Sequence, residues 1–278
     1  MRIKGKNMRY AADSGFSEGE KAVNRQLNCL FDQWSKELGR LWDGYNADYF
    51  VTDGFFPAYH QQRPRVLFIG REVLDIMGQS YINIFLQAFK QNLVGGKTLN
   101  KSLNRHSFYR RIFKITYGLT HGCPDWKDIP PASVMADTFG TPEGISFAFM
   151  NLSKLSHEYA DNPAWKADMT LMDSFVQKTS ECGQNYFQRE IEILDPDIII
   201  TMNLEQWLSA LGTIHQRESL SPDVAMYALE LPKRAIPLLD CWHFSAIKRD
   251  LDNFYRPVCE ACKHLSGDSS FRISSFVH

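Results

Sequence analysis

Three short apolar runs constrain this chain more than anything else in it. They are the middles of Arg65-Val-Leu-Phe-Ile-Gly70, Ile145-Ser-Phe-Ala-Phe-Met150 and Asp197-Ile-Ile-Ile-Thr-Met202. Runs this short and this apolar read as strands buried on both faces. A fourth run, Ala235–Leu239, lies across the turn at Pro232-Lys233 from a strand-like stretch, Val224–Leu229. Helical patterns at about 76–92, 103–118 and 165–194 fall between the runs. Strands alternating with helices need crossover connections, which make a parallel sheet with helices on both faces. The expectation is an α/β chain, a three-layer α/β/α domain around a mainly parallel four-stranded central sheet.

The boundaries follow from local signals. Ser17 and Glu20 form an S-x-x-E capping box ahead of Val23, Leu27, Leu30, Phe31, Trp34, Leu38 and Leu41, which predicts a long amphipathic helix. Residues 43–63 read as a connecting loop, and 120–143, with four prolines, as an extended surface segment. Leu204–Leu211 reads as a short helix and 246–265 as the final one, which Pro257 must kink or restart. The domain expectation is a helical extension at 1–60 packed on the core, an α/β domain at 61–266 and a polar tail at 267–278.

Composition removes several classes. Hydrophobic residues at 44% and aromatics at 13% supply a core and exclude disorder. With 31 basic against 32 acidic residues, no global charge draws the chain to nucleic acid or lipid, so any such surface must be local. No apolar run approaches the roughly 18 residues that span a bilayer, and the first residues carry no signal-peptide pattern. Six cysteines at 29, 123, 182, 241, 259 and 262 are too sparse for a disulfide framework and fit a reducing cytoplasm. Cys259-x-x-Cys262 has no second pair, so helix packing is favoured over a metal site. The expectations are a cytoplasmic location, no membrane and no obligate protein partner.

In open parallel sheets ligands bind at the carboxyl ends of strands. Three such ends carry chemistry: Gly70-Arg71-Glu72, Met150-Asn151-Leu152 and Trp242-His243-Phe244-Ser245. They offer a carboxylate to steer water or stabilise a cation, an amide to read a donor–acceptor pair, and an imidazole to hold an oxyanion.

In order and spacing these stretches resemble the uracil-DNA glycosylase superfamily across roughly 65–265. Phe68-Ile-Gly-Arg-Glu-Val73 is similar to that family's first motif (GQDPY or GEAPG), with Glu72 at the acid position. Phe147-Ala-Phe-Met-Asn-Leu152 resembles its middle strand, which ends in a base-recognising Asn, and His243-Phe-Ser-Ala-Ile247 its H-P-S loop. The stretch Cys182–Ile200 is similar to a helix and strand of the iron–sulfur members. The resemblance implies catalytic roles for Glu72 and His243, base binding by Asn151, Gly70 and Arg71, and DNA contacts by Ser245, Ile247, Lys248 and Arg249. Ile247 stands where the family's wedging leucine follows its loop. The implied partner is DNA carrying a damaged, uracil-type or single-stranded base. The chain departs from the family at Val73, Leu74 and Phe244, which replace two prolines and an aromatic. The cysteine expected soon after Asn151 is missing, as is an N-terminal C-x-x-C, so no iron–sulfur cluster, other cofactor or metal is expected.

Blander readings stand beside these. Glu72 could be a solvated loop acid, Asn151 a helix cap, His243 a core histidine, and Ile247 the start of the last helix's buried face. Arg63, Arg65, Arg110, Arg111, Lys114 and Lys154 read mostly as solvated surface, with Lys248-Arg249 where a phosphate backbone would pass. Two functional alternatives remain: a catalytically inactive nucleic-acid-binding module on the same fold, and an SGNH-type esterase suggested by Asp240-x-x-His243. The esterase would need a Gly-Asp-Ser nucleophile where Gly70-Arg-Glu stands.

Overall fold

The computed structural model describes residues 9–73, 76–95, 101–156 and 168–267. In chain order its helices are α1 (Glu18–Leu41), α2 (Tyr81–Lys90), α3 (Ser107–Thr120), α4 (Ala132–Asp137), α5 (Met169–Ser180), α6 (Tyr186–Leu194) and α7 (Arg256–Ser266). Its strands are β1 (Gly54–Phe55), β2 (Val66–Glu72), β3 (Ala148–Ser153), β4 (Ile198–Met202), β5 (Thr213–Ser221), β6 (Val224–Glu230) and β7 (Ala235–Cys241). The expected α/β architecture is present, but the sheet is seven-stranded and mixed, in the order β1-β3-β2-β4-β7-β6-β5. Its middle, β3-β2-β4-β7, is parallel; β1, β6 and β5 join antiparallel.

Two of the three extra strands, β1 and β5, escape a sequence reading for physical reasons. β1 is two residues long inside a segment expected to be loop. β5, with the sequence TIHQRESLS, is an edge strand mostly open to water, so no burial pattern marks it. β6 and β7 form an antiparallel hairpin across the turn at 231–234, which turns the expected parallel edge into a mixed one.

Period-two alternation in β2 divides the core. Val66 and Phe68 pack on one side with α2, α3, α4 and α7; Leu67 and Ile69 pack on the other with α1, α5 and α6. The Ser17–Glu20 capping box forms as expected. Trp34 of α1 is fully buried, stacked on Tyr186 at 5.3 Å and edge-on to Phe187 at 5.0 Å, so α1 is a wall of the second core.

Other expected boundaries move. The helical stretch expected at 165–194 is two helices, broken around Gly183 and restarted by Asn185, which caps α6; residues 165–167 lie outside the described residues. The segment 120–143 contains α4 as well as a short 3-10 turn at Trp126–Asp128. The final helix does not begin at 246: a π-helical turn spans Leu251–Tyr255 and α7 restarts at Arg256 with Pro257 in its first turn. Among the described residues no helix is long and apolar enough to cross a membrane.

Candidate functional site

β2 runs past Gly70 to Glu72 and β3 runs through Asn151 to Ser153, so neither strand stops where the apolar run stops. Register places Gly70 opposite Asn151 and Glu72 opposite Ser153. Asn151 is therefore a strand residue, 2% exposed, and the helix-cap reading is corrected. A Cβ built on Gly70 would lie 3.1 Å from the Phe149 ring and 3.6 Å from Asn151 Oδ1, so glycine is what lets ring and amide approach the β2 backbone.

Asn151 is anchored by an acid that sequence reasoning missed. Asp53 Oδ2 accepts the Asn151 backbone N–H at 2.6 Å and its Nδ2–H at 3.1 Å. Asp53 Oδ1 accepts from Lys154 Nζ at 2.7 Å, and Lys154 also reaches both oxygens of Glu190, at 3.0 and 2.8 Å. All three charged side chains are fully buried, so the solvated-surface expectation for Lys154 is wrong. One lysine cannot neutralise two buried carboxylates. Burial, with Asp53 beside it, pushes the Glu190 carboxyl well above its usual range despite Lys154, making Glu190 the neutral member. The one signal in the sequence was position: Lys154 stands close after the apolar run that ends at Met150, where an unpaired cation would be prohibitive.

His243 lies two residues past β7, partly buried. Its Nδ1 accepts the N–H of Ser245 at 3.3 Å. Burial, with the charges of Arg71 and Arg111 adding, lowers its pKa to about 4. The imidazole is therefore neutral at pH 7 and carries its hydrogen on Nε2, a donor. Phe108 links the two halves of the region, with ring centroids 5.7 Å from His243 and 6.2 Å from Phe149. Phe149 is in turn stacked on Tyr81 at 4.7 Å. These rings form an aromatic wall beside the Asn151 amide.

The loop after His243 is held by Arg111, another residue wrongly expected on the solvated surface; it is 3% exposed. Its guanidinium donates to the carbonyls of Phe244 at 2.5 Å, Ala246 at 2.9 Å and Lys248 at 2.7 Å, and pairs with Asp250 at 2.8 Å. Arg110 also binds Asp250, at 2.7 Å. Phe244 is fully buried and packs edge-on to Phe254 at 5.4 Å. Ile247 is fully exposed at the loop tip, which corrects the reading that it begins a buried helix face. Ser245 is exposed as well. Lys248 lies over the Trp242 ring at 4.0 Å and 3.9 Å from Asp223, while Arg249 is exposed and 3.7 Å from Asp252.

Arg71 donates to the Asn203 carbonyl at 3.3 Å. Among the described residues its Nε is buried and meets no acceptor. Glu72 is buried, and its Oε1 accepts the N–H of Asp168, the N-cap of α5, at 2.9 Å, so it is not a solvated loop acid. Val73 is buried; Leu74 lies outside the described residues. Cys259 and Cys262 are buried on α7. Among the described residues no cluster of three or more His, Cys, Asp or Glu side chains could hold a metal ion. Comparison of the chain with family models, with curated proteins and with solved structures found no match in any of the three.

Proposed function

We propose that this chain is a DNA glycosylase-like hydrolase that cleaves the N-glycosidic bond of a flipped, uracil-type base. The observation that carries it is the neutral imidazole of His243, its Nε2–H free to donate, at the sheet end that also holds the anchored amide of Asn151. Cleavage puts positive charge on the sugar and negative charge on the departing base. His243 would donate from Nε2–H to the base oxygen that gains charge. Asn151 would pair with the Watson–Crick edge, against the wall made by Phe108 and Phe149. Glu72 would stabilise the sugar cation and orient water. Arg71, with its buried Nε, would hold a carbonyl or phosphate oxygen. Fully exposed Ile247 suits a wedge filling the gap left by the extruded base, with Ser245, Lys248 and Arg249 beside the DNA backbone.

The test is base release from oligonucleotides carrying uracil, hypoxanthine or xanthine. Glu72→Gln and His243→Ala are each expected to slow release by about a hundredfold while the fold persists. Variants that match the wild-type chain would remove the catalytic assignment.

A second reading, an inactive nucleic-acid-binding module, draws support from the Glu72 oxygen already occupied by the start of α5. DNA binding without release of any base would favour it. The esterase alternative is disfavoured by hydrogen bonding. Its imidazole would donate from Nδ1 to Asp240, but Nδ1 accepts, and Asp240 Oδ1 receives Thr201 Oγ1 at 2.6 Å and the Leu204 N–H at 2.9 Å.

A further inference from the structure

We infer that Asp53 is a specificity-determining positioning residue: it locks the Asn151 amide in one orientation, so that Oδ1 faces the ligand and selects bases carrying an N–H at that point. The inference rests on the reading of Asn151 as the base-recognising side chain.

Asparagine can present its amide in two ways that differ only by exchange of oxygen and nitrogen, and their shapes are nearly identical. A site that reads bases must therefore prevent the flip. Here the preventing group is explicit. Asp53 Oδ2 already accepts the Asn151 backbone N–H and sits 3.1 Å from the side-chain nitrogen. Flipping the amide would set its oxygen against a carboxylate oxygen inside a region closed to water, with a donor lost and a repulsion gained. Lys154, bonded to the other oxygen of Asp53, keeps the carboxylate an acceptor.

With one Nδ2 hydrogen spent on Asp53, the amide retains Oδ1 and a single N–H. Oδ1 lies toward Gly70, at 3.6 Å from where a Cβ would stand, the side on which Phe149 packs. A base whose pose is fixed by its sugar must then place a donor opposite Oδ1. The N3–H of uracil meets this demand. Cytosine puts a lone pair at the same ring position, oxygen against nitrogen lone pair, and is rejected.

Asp53→Asn is the informative change because it keeps shape and turns a pure acceptor into a group that can either donate or accept. Glu190 can then take up the charge of Lys154, so the fold has a route to persist. The probes are single-stranded oligonucleotides carrying one 2′-fluoro-2′-deoxyuridine or one 2′-fluoro-2′-deoxycytidine, whose glycosidic bonds resist cleavage. Affinity is measured by fluorescence anisotropy for the full wild-type and Asp53→Asn chains, with thermal melts as the folding control. The wild-type chain is expected to prefer the uracil probe by roughly tenfold or more, the effect of one mismatched buried polar contact. The variant is expected to bind both within about threefold of each other, with its melt still cooperative. Equal binding of the two probes by the wild-type chain, or unchanged preference in the variant, overturns the inference. If Asp53→Asn does not fold, the Asn151 side-chain NH₂ signals of the wild-type chain decide: one proton shifted downfield and protected from exchange supports the lock, and two protons at ordinary amide shifts that both exchange rapidly with water overturn it. Failure of the glycosylase reading shows separately, as retained uracil preference without any base release from deoxyuridine DNA.

Discussion

The two ends of the parallel sheet each hold a charge cluster, partly open to water at one end and fully buried at the other, and the clusters are built differently. At the entry to β2 and β4, Arg65 forks onto Asp197 at 2.9 and 3.2 Å and reaches Asp195 at 2.8 Å, while Arg234 meets Asp195 from the other side at 2.8 Å. These donors and acceptors close on one another, a planar fork on a planar carboxylate, and nothing is passed onward. At the exit, Asp53 stands between Lys154 and the Asn151 amide, so the cluster ends on the side chain proposed above to read the base. The first cluster staples strands. The second transmits orientation. Burial and charge alone do not separate a structural ion pair from a site; the identity of the last group in the network does.

The comparison can be broken most forcefully at Lys154. Lys154→Met leaves the buried Asp53 carboxylate without its cation and is expected to destabilise the fold by about 3–5 kcal/mol, measured by urea denaturation. A loss under about 1 kcal/mol would mean the cluster is not dry. Arg65→Ala should cost somewhat less, about 2–3 kcal/mol, because the Arg65 backbone N–H still serves Asp197 at 2.8 Å. If the sheet ends are independent, base release by that variant, assayed at a temperature where it is folded, stays within about twofold of wild type.

Arg111→Met sharpens the contrast on the exit side. Three loop carbonyls lose their donor and Asp250 keeps only Arg110, and about 2 kcal/mol of stability should go with the change. Release should fall by about tenfold or more, since the loop that aims His243 and Ile247 loses its clamp. Equal slowing by Arg65→Ala would erase the distinction between the ends.

The smallest effect is a pH dependence. In the unfolded chain His243 titrates near 6.5, whereas in the fold its pKa is lowered to about 4. The unfolded state thus binds the proton first as pH falls. The stability contributed by neutral His243 is fully present above about 6.5 and is lost progressively towards about 4. With a discount for partial exposure, about 1 kcal/mol should be lost by pH 5. His243→Gln should flatten that part of the profile, and an unchanged slope between pH 6.5 and 5 would show that the imidazole is not held neutral.

What the sequence by itself determined is the part of the protein governed by local, one-dimensional signals. The central strands were legible as unbroken apolar runs, α1 as a capped amphipathic helix, and the restart at Pro257 from the missing N–H of proline. The positions of Glu72, Asn151 and His243 near strand exits were legible as polar residues just past those runs. The edge strand β5 was not, because a strand open to water leaves no hydrophobic period. Nor was the break between α5 and α6, where two helices of similar pattern are separated by a short polar turn. Only the tertiary structure decided which charges are interior. Position beside an apolar run marks Lys154 only faintly and Arg111 not at all, and each is buried because partners far along the chain, Asp53 and Glu190 for one, Asp250 and the 244–248 carbonyls for the other, meet it at the exit of the sheet. Apolar patterning is a property of neighbours along a chain. Compensation of a buried charge is a property of neighbours in space.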